Sequence, residues 1–195
     1  MSAAVLPPPP VAVPLPRKKF TRAEVEQMVD SGIFDGQRFE LIEGDLIDKM
    51  GQKPPHVRGL QLAMGLLISL FGMDRVRGQA PFDAATPDRE RNLPEPDVAV
   101  LREWRSEFGL RQPRGEEIIL AVEVADTTLY SDMTTKRDLY ARAGVPEYWV
   151  VDLNARRLIV YKGLAEGTYE EISAFGENNA VSIEGCSVGV GTLLP

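Results

Sequence analysis

At 195 residues, 44% of them hydrophobic, the chain is long enough to bury one good core and too short for two of ordinary size, and no apolar run approaches the roughly 18 residues that span a bilayer. A single cysteine, Cys186, and a single histidine, His56, exclude an internal disulfide and a cysteine-based zinc site and argue against a histidine-dependent serine or cysteine triad. The net charge of −7 argues against a broad nucleic-acid-coating surface but leaves room for a local cleft whose sign is reversed by divalent ions and a few arginines.

The N-terminus lacks a charged segment followed by an apolar core and cleavage site, so a soluble, cytoplasmic protein with no membrane partner is expected. Residues 1–19 carry Pro7, Pro8, Pro9, Pro10, Pro14 and Pro16 and read as a polyproline-like or disordered tail. Residues 20–195 are expected to form a single domain.

Thr21 and Glu24 have capping-box spacing, which predicts a helix from Thr21 to about Gly32. Residues 38–43 and 45–50 alternate polar and apolar side chains around Gly44, the pattern of a hairpin. After Pro54 and Pro55, the spacing of Leu60, Ala63, Met64, Leu67, Leu70 and Phe71 predicts a long amphipathic helix ending at Gly72. Residues 75–79 and 81–84 are short strand candidates. Residues 94–101 turn on two prolines into a β-branched run, placing Asp97 at the mouth of a strand.

Residues 118–125, Ile-Ile-Leu-Ala-Val-Glu-Val-Ala, form an apolar run with one interruption. This is the signature of a strand buried on both faces. Glu123 is anomalous there, because a buried carboxylate costs several kcal/mol unless it is paired, protonated or on a metal. A helix pattern over residues 131–144 and an apolar strand over residues 147–153 complete a strand–helix–strand unit. Further strands are expected near residues 158–161, 169–172, 181–183 and 187–190. The order of elements reads as mixed α/β.

Glu40 in the hairpin, Asp97 at a strand entry and Glu123 inside a strand share this awkward context. If their strands are neighbours, the three acids converge into an oxygen-rich nest of the kind that Mg²⁺ or Mn²⁺ prefers. Such an ion orients a phosphodiester and activates water. Glu43 or Asp45 could replace Glu40. Lys136 shares a helix face with Leu139, Tyr140 and Ala143, which must pack on the sheet holding Glu123, so its ammonium can reach the strand end. Asp132, one turn earlier, is placed to cap the helix or pair with Lys136.

These residues bring a resemblance into view. Glu40-Leu-Ile-Glu-Gly44, the proline-containing loop with His56, Pro96-Asp97-Val98, Val122-Glu123-Val124, then Asp132, Lys136, Tyr140 and the run from Gly144 to Asp152 resemble the Uma-two family of restriction endonucleases within the PD-(D/E)XK nuclease superfamily. The resemblance covers roughly residues 20–193. It implies a restriction-endonuclease-like α/β (α+β) core, a mixed sheet flanked by helices, with a divalent metal held by acids matching Glu40, Asp97 and Glu123. The superfamily lysine usually lies two residues after the glutamate, where this chain has Ala125. In this family the lysine is moved to the following helix, which is Lys136 here.

The expected activity is a Mg²⁺- or Mn²⁺-dependent endonuclease-type phosphodiester hydrolysis, with Asp97, Glu123 and Lys136 as catalytic residues and Glu40 as auxiliary ligand. His56 and Asp132 are candidates for substrate contact or support. The expected partner is nucleic acid, DNA foremost, and a homodimer is the expected assembly. A non-catalytic binding or scaffold protein that keeps the fold is the alternative, and hydrolysis of another phosphate ester is a third possibility. The bland readings are salt-bridged Glu123, turn-forming Asp97, a solvated Lys136, a His56 that serves the entrance of its helix, and core-packing Tyr140, Tyr148 and Trp149. Arg102, Arg105, Arg111 and Arg114 form a charged loop that is the best candidate for phosphate contact.

Overall fold

The computed structural model describes residues 16–49 and 51–195. The reading of the proline-rich tail over residues 1–15 lies outside the described residues.

The first helix, α1 (Arg22–Asp30), begins as its capping box requires: Thr21 accepts from the Glu24 amide while the Glu24 carboxylate accepts from the Thr21 amide. Strands β1 (Phe39–Ile42) and β2 (Asp45–Asp48) pair as an antiparallel hairpin. The two turn residues, Glu43 and Gly44, both have positive φ, which matches the strand twist in a two-residue turn. A side chain at Gly44 would also meet Lys19 Cβ at 2.9 Å.

Helix α2 (Pro54–Phe71) opens on its prolines and ends at Gly72 with φ 83°. Pro54 and Pro55 therefore start the helix, where missing amides cost nothing.

The main sheet has six strands in the order β3 (Val76–Gly78), β4 (Val98–Leu101), β5 (Ile118–Ala125), β6 (Tyr148–Asp152), β7 (Arg157–Ala165) and β8 (Thr168–Gly176). Only the β5–β6 pair is parallel, and a helical crossover connects it, as a parallel pair requires. The crossover begins at Leu129, two residues earlier than the sequence suggests. It runs through α3 (Leu129–Ser131), a π-helical stretch (Asp132–Lys136) and α4 (Arg137–Arg142). A second hairpin, β9 (Ala180–Ile183) with β10 (Cys186–Gly189), follows. This is the mixed α+β architecture expected.

All eight residues of β5 are buried, and the alternation of side chains divides them between two layers. Leu120, Val122 and Val124 pack with Leu60, Ala63 and Leu67 of α2. Ala121 and Ala125 pack with Leu139 and Tyr140 of α4, and Phe82 joins that layer. Glu123 falls between Ala121 and Ala125 in the alternation, so it points toward the crossover helix.

Two expectations change. Residues 81–84 form no strand: the segment makes only an isolated bridge between Asp83 and Arg114, because Pro81 has no amide to extend a ladder. Strands β7 and β8 reach nine residues each, longer than expected, because pairing continues past Gly163 and through the exposed polar face of β8, where no apolar alternation marks it.

Candidate active site

The antiparallel register pairs Val98 of β4 with Val122 of β5, and one further step sets Asp97 opposite Glu123. Both are almost fully buried, and cross-strand partners have Cβ atoms roughly 5 Å apart. Asp97 is fixed by its Oδ2, which accepts from the Val124 amide at 2.9 Å. Glu40 arrives from the hairpin, also buried, with its Oε2 accepting from the Glu95 amide at 3.1 Å.

Lys136 lies between the two glutamates. Its Nζ is 2.7 Å from Glu40 Oε1 and 3.0 Å from Glu123 Oε1, with Asp132 Oδ1 at 3.9 Å. The Tyr140 hydroxyl donates to the same Glu123 Oε1 at 2.6 Å. Burial alone would drive the Lys136 ammonium toward neutrality, but the charges of Glu123, Glu40 and Asp132 outweigh it and hold its pKa well above the ordinary lysine range. Burial, with Glu123 close by, likewise raises the Tyr140 phenol, so it remains a donor.

The π-helical stretch starts at Asp132 and ends at Lys136, and both side chains are buried. A widened turn of this kind is a local distortion found often at functional sites. Asp132 Oδ2 accepts from Thr128 Oγ1 at 2.5 Å. Burial, reinforced by the negative charge of Glu123, pushes the Asp132 carboxyl up to about 7, against the opposing pull of Lys136.

His56, in the first turn of α2, has Nδ1 2.7 Å from the Val124 carbonyl and Nε2 3.7 Å from Asp97 Oδ1. Lys49 reaches the Glu95 carbonyl at 2.6 Å and lies 3.8 Å from Asp97 Oδ1. Three buried polar atoms here have no hydrogen-bond partner: His56 Nε2, Asp97 Oδ1 and Asp132 Oδ1. His56 and Asp97 line a pocket of about 150 Å³ together with Glu40, Lys49, Glu123 and Lys136 among others, and Asp132 lies behind Lys136, one of its lining residues.

All six residues singled out in the sequence thus converge on one place. Lys49 was not foreseen, since nothing in a hairpin-end lysine marks it. Tyr140 was read as core only, although its position one turn beyond Lys136 is a legible signal.

The carboxylates are not arranged as a ready cage. Among the described residues no group of three or more His, Cys, Asp or Glu is in position to hold a metal ion, and both Glu40 oxygens are engaged. The donor chemistry nevertheless fits a hard cation. Mg²⁺ commonly takes one or two protein carboxylates and completes its shell with water and phosphate oxygens, and Asp97 Oδ1 is a buried carboxylate oxygen without a hydrogen-bond partner.

The arginine-bearing loop borders a separate pocket of about 600 Å³. Arg105 pairs with Glu103 and Glu117, and Arg111 pairs with Glu107 and Glu117. These two guanidinium groups are already neutralised, which weakens the case for phosphate contact there.

A family model named Uma2 and described as "Putative restriction endonuclease" matches residues 22–192. Among solved structures, a putative nuclease belonging to DUF820 from Anabaena variabilis is similar, with a TM-score of 0.62 and 16% identity over 80% of this chain and 89% of that one. No curated protein matches the chain.

Proposed function

Because the chain belongs to the Uma2 family of putative restriction endonucleases, we propose that it hydrolyses phosphodiester bonds in nucleic acid, DNA foremost, with Mg²⁺ or Mn²⁺. The observation that carries this reading is the meeting of Asp97, Glu123, Glu40 and Lys136 from four separate elements at one small pocket. Asp97 and Glu123 would hold the cation from neighbouring strands. When bound, such an ion polarises a phosphoryl oxygen and lowers the pKa of a coordinated water.

The chain's own groups supply the rest. Lys136 carries a fixed positive charge at the pocket, suited to meeting charge that builds on phosphate oxygens. Glu40 orients that ammonium from one side and Glu123 from the other. Glu40 serves as an auxiliary ligand only if Lys136 yields the oxygen it now holds. Tyr140 fixes the Glu123 carboxylate from beneath. His56 and Lys49 close the side next to Asp97. A homodimer would present two such centres to opposite strands.

The test is cleavage of plasmid and oligonucleotide DNA with Mg²⁺ or Mn²⁺ by the wild type, Asp97→Ala and Glu123→Ala. Loss in both variants supports the hydrolase, whereas equal activity in all three proteins identifies a contaminant and removes the reading. A panel of small phosphodiesters separates nucleic acid from other phosphate esters.

One observation favours a second reading, a non-catalytic binding protein. Glu40, Lys136 and Glu123 neutralise one another without any ion, as a structural cluster would. Nucleic-acid binding without cleavage by the purified wild type would select it.

A further inference from the structure

The Val124 carbonyl can only accept, so its 2.7 Å contact with His56 Nδ1 places the ring proton on that nitrogen. In the neutral ring, Nε2 then carries the lone pair. That lone pair faces Asp97 Oδ1 across 3.7 Å, too far for a hydrogen bond, and neither atom has another hydrogen-bond partner. Asp97 is only 2% exposed and its other oxygen is committed to the Val124 amide, so the carboxylate cannot turn to find another donor. The Lys49 ammonium, 3.8 Å from Oδ1, balances part of the carboxylate charge but hydrogen-bonds neither atom, and two buried acceptors facing each other are unfavourable unless a donor or cation comes between them.

Two donors bound about 2.1 Å from one cation lie roughly 3.0 to 3.5 Å apart at octahedral to tetrahedral angles. The observed 3.7 Å is therefore closed by a small side-chain adjustment. From this geometry we infer that His56 Nε2 and Asp97 Oδ1 form a nitrogen–oxygen donor pair that selects Mn²⁺ and similar transition-metal ions over Mg²⁺. Imidazole is a donor for first-row transition ions, with Mn²⁺ the weakest binder among them, whereas Mg²⁺ keeps to oxygen. The hydrogen bond from Nδ1 to the strand carbonyl is the outer support that fixes tautomer and ring orientation in histidine metal sites.

The inference rests on the metal-dependent hydrolase reading and sharpens it by naming the cation. It makes His56 a ligand in addition to its place at the entrance of α2.

Isothermal titration of the 195-residue chain with Mn²⁺ and with Mg²⁺ tests it, comparing the wild type with His56→Ala. The expected result is a fall of about tenfold or more in Mn²⁺ affinity with less than about a threefold change for Mg²⁺. Equal losses for both ions, or none for either, overturn the donor pair while leaving metal binding in place. A wild type that binds neither ion overturns the metal reading itself, and the inference with it.

Because His56 is the only histidine in the chain, its imidazole ¹⁵N resonances give a readout that needs no variant. On addition of Zn²⁺ as a diamagnetic probe, Nε2 should shift while Nδ1 keeps its proton. An unmoved Nε2 signal in the presence of bound Zn²⁺, or a doubly protonated ring at neutral pH, rejects the proposal.

Discussion

The ammonium of Lys136 lies 3.0 Å from Oε1 of Glu123, joining the crossover helix to the strand that precedes it inside the core. With both residues at least 95% buried, this contact has consequences for stability as well as for chemistry. Replacing Lys136 by Met leaves Glu123 and Glu40 as facing buried charges without their cation. Breaking a buried pair in this way costs about 3–5 kcal/mol. Lys136→Met should therefore lower the urea midpoint sharply and abolish cleavage. A double variant, Lys136→Met with Glu40→Gln, should recover part of the stability and none of the activity. Full retention of stability in the single variant would mean that the three groups are not charged together.

Tyr140→Phe separates the two roles of this cluster. It removes one hydrogen bond to a charged carboxylate, worth about 1.5–3 kcal/mol, and leaves Lys136 in place. Chemical denaturation should show that loss. Cleavage by the folded variant should fall less than in Glu123→Ala, because the carboxylate is still present but less firmly oriented.

How legible this arrangement was in the sequence differs element by element. Strand β5 and helix α2 were readable because burial on two faces and a 3.6-residue repeat are local patterns. The Thr21 cap was readable because both its partners lie within one turn. Glu123 stood out because a carboxylate in such a strand needs a compensating partner. The π-helical turn was not readable: nothing in Asp132–Lys136 demands it locally, since an ordinary α-helix already sets residues four apart on one face. Nor could spacing reveal that Glu40 has both oxygens engaged, by Lys136 and by the Glu95 amide, since that depends on how a separate hairpin docks. Lys49 was hidden for the same reason.

The close approach of α2 to β5 depends on Gly59. A Cβ there would come 2.8 Å from Val124 Cγ1, and Val124 is the residue whose carbonyl holds His56. Gly59→Ala should therefore destabilise the fold by about 1–3 kcal/mol through overpacking and disturb the His56 ring signals. Adding Val124→Ala vacates the space, so the double variant should be more stable than the sum of the single effects, a coupling measurable by a double-mutant cycle. Strict additivity would show that this contact does not set the spacing.

The Asp132 carboxyl, pushed up to about 7 by burial and by Glu123, makes stability depend on pH with a definite sign. Below the ordinary aspartate value of 3.8 both the folded and unfolded states carry the proton, and burial of the neutral acid is harmless. Between 3.8 and about 7 the folded state keeps a proton that the unfolded chain releases. The contribution of this group therefore weakens as pH rises through that window, by at most about 1.4 kcal/mol per pH unit, and is lost above it. Asp132→Asn removes this slope. Carboxylates elsewhere, including Glu95 and Glu147, whose burial also raises them, titrate in both proteins and cancel in the comparison. Urea denaturation at intervals from pH 4 to pH 8 should show the variant gaining stability relative to the wild type as pH rises, with the difference levelling off above about pH 7. Parallel curves for the two proteins would mean that Asp132 ionises normally in the fold and that Lys136 alone is enough to hold its charge.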